Sequence, residues 1–162
     1  QVSVGSLQSS RNSAMFRKKE ATAQINFNRP PDSGQFFVIK ADEAAKLILE
    51  WFPKSVKVNK IDGYGPPGSF DIRVGGPGVN SRLVHNHLHL SHGFLKGSSE
   101  ERQAFVKKAI ADVLKGENPE GVEEELKQAV LKAEEEAEKK MQAEQQAIED
   151  AKRREREEQE AK

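Results

Sequence analysis

Trp51 to Phe94 read WFPKSVKVNKIDGYGPPGSFDIRVGGPGVNSRLVHNHLHLSHGF, and within this stretch apolar and polar side chains twice fall into strict alternation. Val56 and Val58 alternate with Lys57 and Asn59, while Phe70, Ile72 and Val74 alternate with Asp71 and Arg73. Successive side chains of a strand point to opposite faces, so this period of two predicts a strand on each side of the GYGPPGS loop. Gly75 to Gly78, GGPG, closes a turn, and a further strand is expected from Leu83 to Leu90.

Upstream, Ala21, Ala23, Ile25 and Phe27 alternate with Thr22, Gln24 and Asn26, which predicts a first strand buried on one side. NRPPDSG, from Asn28 to Gly34, cannot continue it: Pro30 and Pro31 lack the backbone donor a ladder needs, and Asp-Ser-Gly favours a turn. Phe37, Ala41, Ala44, Ala45, Ile48 and Trp51 then recur at helical spacing up to Pro53. The start of that helix is blurred, because Phe36 to Ile39 also suit an extended piece. Ser98 and Ser99 followed by Glu100 and Glu101 make a helix-start signal. Phe105, Val106, Ile110, Val113 and Leu114 form the stripe of the helix that follows, and Gly116 ends it. The order of elements is βαβββα, an α/β sandwich of one sheet with helices against it.

Past Pro119 the composition changes to Glu, Lys, Arg, Gln and Ala, with no glycine or proline after Gly121. These are helix formers, and some forty of them make a rod on the order of 60 Å long. Leu126, Val130, Met141 and Ile148 lie near one face of it, a thin stripe otherwise filled by alanine. Glu to Lys and Glu to Arg pairs could hold such a helix alone in water. A helix that docks its strip on a partner is the reading carried forward, and sustained heptads for a dimeric coiled coil are lacking. The first twenty residues are serine-rich and carry Arg11, Arg17, Lys18 and Lys19 with no acid before Glu20. That composition fits either the remnant of an organellar transit sequence or a partner-binding arm. Three parts are thus expected: a basic arm over 1–20, a domain over 21–116 and a charged helix over 117–162.

The 26 basic and 26 acidic residues balance, so no global field favours nucleic acid, anionic lipid or acidic substrates. With zero cysteines there is no disulfide-linked oligomer, no thiolate metal site and no thiol catalysis. No apolar run approaches the roughly 18 to 20 residues of a membrane span. His85, His87 and His89 alternate along the expected strand with His92 close behind, which would project imidazoles from one face as a candidate zinc site. A polar strand face is the plainer alternative, since no acidic fourth ligand is evident. The GYGPPG loop is followed by a strand, not by the helix N-terminus a phosphate cradle needs.

The order Phe52-Pro53, then Phe70-Asp71-Ile72-Arg73, then Leu83-Val84-His85-Asn86, then Gly93-Phe94 resembles the selenoprotein W-like (Rdx) family of thioredoxin-like proteins. In that family a strand leads into a Cys-x-x-Cys or Cys-x-x-Sec loop, a helix ends in Phe-Pro, and a hairpin precedes a strand beginning Leu-Val-His-Ser. The resemblance covers Ala21 to Leu114 and implies that the redox loop falls on Asp32, Ser33, Gly34 and Gln35. A carboxylate and an amide then stand at Asp32 and Gln35, where the family has sulfur or selenium. Thiol exchange needs an attacking and a resolving thiolate, and neither residue supplies one. In thioredoxin-like folds a cis-proline often precedes the hairpin, which singles out Pro66 and Pro67. The function expected is a redox-inactive accessory subunit of a larger, organellar assembly, mitochondrial before plastid. It would need no cofactor and would hold protein partners through Arg11, Arg17, Lys18 and the long helix. Two alternatives stand beside it: a metal protein or enzyme built on the histidines, and an RNA-contacting ribosomal accessory protein using the basic arm.

Overall fold

A computed structural model describes residues 20–162. Strand β1 (Ala21–Phe27) buries Ala21, Ala23, Ile25 and Phe27, the set that the alternation marks. The chain then turns through Asp32 and Gly34, both with positive φ (66° and 57°), and enters helix α1 (Phe36–Trp51). The ambiguous Phe36 to Ile39 segment is therefore helical, and Phe37, Ala41, Ala44, Ala45 and Ile48 form the buried face. Alanines on both α1 and β1 let the helix axis come close to the sheet. After α1 the chain returns as β2 (Val56–Asp62), parallel to β1 with Ala23 opposite Val58. Two parallel neighbours need such a crossover, because a hairpin cannot join them.

β3 (Phe70–Gly76) runs antiparallel to β1 with Ile25 opposite Ile72, and β4 (Val79–Asn86) pairs antiparallel with β3. The four strands lie in the order β2-β1-β3-β4. Helix α2 (Glu100–Leu114) opens on Ser99, whose side chain accepts from the Arg102 backbone N–H, and Gly116 follows its end with φ 82°. Val106, Ala109, Ile110 and Val113 of α2 join one core with α1 and with Phe70, Ile72 and Val74 of β3. Both helices thus cover the same face of the sheet. The other face carries Thr22, Gln24, Asn26, Asp71 and Arg73. This is the thioredoxin-like α/β order βαβββα, followed by the long helix α3 (Glu123–Glu160).

At Gly76 the sheet packs tightly against α2. A Cβ there would stand 2.8 Å from Val113 Cγ1 and 2.9 Å from Glu20 O, so only a hydrogen fits. β4 differs from expectation: it begins at Val79 and ends at Asn86, four residues short of Leu90. Its pairing slips between Ile72 and Arg73, so that Val84 is an extra residue in a β-bulge and its carbonyl is turned out of the ladder. The Arg102 guanidinium donates to that carbonyl. The two outer strands are treated differently. Along β4, Leu83 N–H donates to Glu123 Oε1 (2.7 Å), Leu83 O accepts from Val122 N–H (2.7 Å) and Asn80 N–H donates to Asn118 Oδ1 (3.2 Å). β2 instead exposes Lys57, Lys60 and Ile61.

By contacts the chain divides after Glu123, beyond the boundary at 116 read from composition. The reason is the edge cover just described: residues 118–123 complete the sheet before the rod begins. The second unit is the body of α3, a single helix of 38 residues that buries none of them, about 57 Å long.

Candidate functional site

The carboxyl ends of parallel strands, where the chain switches direction, are the usual ligand position in open α/β sheets. Here three segments meet at the end of β1. Asn28 knits two of them together: its N–H donates to Ser69 O (3.0 Å), its O accepts from Gly68 N–H (2.8 Å), and its side-chain amide donates to Gly65 O (2.7 Å). Tyr64 N–H donates to Phe27 O at 3.1 Å, which ties the GYGPPG loop to β1. The peptide bonds before Pro66 and Pro67 are both trans, so the cis-proline that the resemblance singled out is not found.

Asp32 and Gln35, which the resemblance would set on the redox motif, lie in this loop and are exposed. Gln35 is the N-cap residue of α1, but its side chain makes no capping bond. Between them Ser33 folds inward, donating both its N–H (3.2 Å) and its hydroxyl (2.8 Å) to Pro30 O. That hydroxyl is spent on holding the turn. Behind the loop stands an aromatic cluster centred on Phe94, whose ring is 5.5 Å from Phe36, 5.3 Å from Phe37, 5.1 Å from Phe70 and 4.5 Å, stacked, from His87. Lys40 Nζ sits 5.4 Å above the Phe36 ring, and Phe36 is 49% exposed. This loop thus rests on an aromatic base, and it holds no sulfur or selenium atom.

The histidines do not share a strand face, because β4 stops at Asn86. Asn86 itself ends the strand: its Oδ1 accepts from His89 N–H (2.9 Å) and Leu90 N–H (3.1 Å), and its Nδ2 donates to Asp71 Oδ1 (2.7 Å). His85 is fully buried in the core, with Nε2 donating to Gly93 O at 2.7 Å, which leaves Nδ1 without a partner. Burial, with the Arg102 charge and the neighbouring His92 adding to it, lowers its pKa to about 4. His87 lies past the strand against Phe94, and His89 is exposed on the turn. His92 accepts the Asn86 N–H on Nδ1 (3.1 Å) and faces the Arg102 guanidinium through Nε2 (3.4 Å); burial and that charge lower its pKa to about 4. Among the described residues, no group of three or more His, Asp or Glu side chains is placed to hold a metal ion. The zinc arrangement expected from the alternation therefore lacks its geometric basis.

Sequence reasoning missed Asn86 and Arg102 as organising residues. Asn86 carries a signal, since an Asn side chain readily captures the backbone two or three residues ahead. Arg102 carries none, because its role depends on a bulge made eighteen residues earlier in another element. Of the expected partner-binding residues, Leu126, Val130, Met141 and Ile148 lie on α3, and Met141 and Ile148 are more than half exposed. Arg11, Arg17 and Lys18 lie outside the described residues. No helix among the described residues is long and apolar enough to cross a membrane. No protein-family model and no curated protein matches the chain.

Proposed function

We propose that this protein is a non-catalytic, thioredoxin-like accessory subunit of a larger protein assembly, a relative of the selenoprotein W-like family that has kept the scaffold without the reagent. One observation carries the reading. The loop at the carboxyl end of β1 is tied into the fold through Asn28 and Ser33, yet the two positions that the resemblance sets on the redox motif are Asp32 and Gln35, and the chain contains no cysteine. A carboxylate and an amide cannot form or resolve a mixed disulfide. What remains useful is shape, together with extensions longer than the domain needs for its own stability. The long helix and the basic arm are the proposed anchors, and an organelle, the mitochondrion before the plastid, is the proposed compartment.

The test is mild affinity purification of the tagged chain, full length and ended at Glu123, with identification of the proteins that co-migrate. Defined partners are expected with the full chain and their loss, or a drop of at least tenfold, with the shortened one. Recovery of the same partners from both would remove α3 as an anchor. A lone monomer from both would sink the assembly reading altogether.

A further inference from the structure

Residues 87–94 lead from the end of β4 to the aromatic cluster, and two imidazoles hold them there. His85 Nε2–H donates to Gly93 O (2.7 Å), the Asn86 N–H donates to His92 Nδ1 (3.1 Å), and the His92 N–H donates to Asn86 O (3.2 Å). These bonds seat Phe94 against Phe36, Phe37 and Phe70. Ser91, with φ 55°, lies in the left-handed region, which a residue with a side chain keeps only where surrounding contacts hold it. Both ties require neutral rings, and a neutral imidazole has one acceptor nitrogen. In His92 that nitrogen is Nδ1, so Nε2 carries the proton and stands 3.4 Å from Arg102 Nη1, itself a donor. His92 thus sits between two donors and satisfies one. An imidazolium there satisfies neither, and it sets a second positive charge against a guanidinium fixed by its bond to Val84 O. His85 is enclosed as well: Nδ1 is buried without an acceptor, Phe70 of β3 stands edge-on at 6.2 Å, and the cations that oppose a proton are Arg102 of α2, His92 and His87. Asp71 of β3 is held by Asn86 Nδ2 and acts on His87 and His89, while α1 contributes Lys40, 5.8 Å from the Phe94 ring.

We infer that residues 87–94 are an acid-released strap: protonation of His92 drives its ring from between Asn86 and Arg102, uncovers His85 and lifts Phe94 off the cluster, while the sheet and both helices of the domain stay folded. The device lies within the domain and does not depend on the accessory-subunit reading. Burial and the Arg102 charge hold the pKa of each closed ring at about 4, and release into water returns it toward the ordinary 6.5. The open form therefore binds more protons, so opening is favoured as the pH falls below about 6.5. Each ring multiplies the open-to-closed ratio by up to about 300 once the pH is below about 4. Release stops at Leu95, which is fully buried and whose carbonyl accepts from Ser98 N–H (3.2 Å), Ser98 Oγ (2.6 Å) and Gln103 Nε2 (3.2 Å). Opening of one segment below the global transition is the usual behaviour of a piece tied by few contacts. What it uncovers is the side of Phe36, Phe37 and Phe70 that faces Phe94.

Hydrogen–deuterium exchange of the full-length protein, read by mass spectrometry at about pH 7 and about pH 4.5 and corrected for the intrinsic rate at each pH, tests the strap. Peptides from 86–94 are expected to lose at least tenfold more protection in acid than peptides from β1 and β3. His92→Asn, whose side-chain oxygen replaces Nδ1 as acceptor and takes up no proton, is expected to cut that excess at least fivefold. A loss in the strap less than tenfold above that of the sheet would overturn the inference, as would an excess that falls by less than fivefold in His92→Asn. Should that variant fail to fold, nuclear magnetic resonance of the unsubstituted protein decides. The His92 ring and the Phe94 amide are expected to titrate with one midpoint, and a Phe94 amide that stays unmoved while His92 gains its proton refutes the strap.

Discussion

His85 is a core residue with a titratable ring, and keeping that ring neutral links the stability of the domain to pH. Its folded pKa of about 4 lies below the ordinary value near 6.5, so between those values the unfolded chain binds more protons than the folded one. The stabilisation from keeping the ring neutral is therefore complete above about pH 6.5 and disappears as the pH falls toward about 4. His92 acts in the same direction. Asp71 acts in the opposite one, since burial raises its pKa and the folded carboxyl gains protons more readily than the unfolded. Denaturant unfolding at pH 7.5 and pH 4.5 should show a net loss at the lower pH, with His85 contributing on the order of 3 kcal/mol at full protonation. His85→Leu should flatten that dependence, and an unchanged slope would refute the assignment. Gly76 gives a second test at this scale. Gly76→Ala pushes a methyl into Val113 and the Glu20 carbonyl and should cost about 1 to 3 kcal/mol in urea unfolding.

Among the elements, β1, β3, α1 and α2 are legible from the sequence because each buries one face, and burial imposes a period that the residues must show; β2, which buries only Val56, is legible from its alternating valines. β4 was misplaced for a definite reason. His85, His87 and His89 alternate as a strand would, but the pattern is blind to the Asn86 side chain, which captures the backbone N–H groups of His89 and Leu90. Hence the candidate metal face comes from extending the strand past Asn86, while the absence of cysteine depends on residue type alone. The cover over the β4 edge was illegible, since nothing in Asn118, Val122 or Glu123 says which strand they will meet. Glu123→Ala removes the acceptor of Leu83 N–H and is expected to cost about 1 kcal/mol or more. Ser99→Ala removes the α2 cap and should cost about 1 kcal/mol. Thermal unfolding followed by circular dichroism reads both, and Lys132→Ala on the exposed helix is the neutral control.

At the scale of the whole chain, the buried apolar side chains among the described residues all lie within Ala21 to Val122, and none is on α3. A chain ended at Glu123 should therefore unfold cooperatively with a midpoint within a few degrees of the full-length protein, and lose far-ultraviolet helix signal in proportion to the residues removed. Ending it at Glu117 should lower the midpoint measurably, because the cover of β4 goes too. Equal midpoints for the two shortened chains would show that the cover contributes nothing.

A sheet with two rims offers a neighbouring chain two places to add a strand. Here the β4 rim is covered by the chain's own residues 118–123, and the β2 rim bears Lys57, whose charge opposes a second copy of the same strand, beside Lys60, which is paired with Asp42. Growth into stacked sheets is thereby blocked at one side by occupancy and at the other by repulsion. Edge-to-edge pairing of identical copies is therefore disfavoured at both rims.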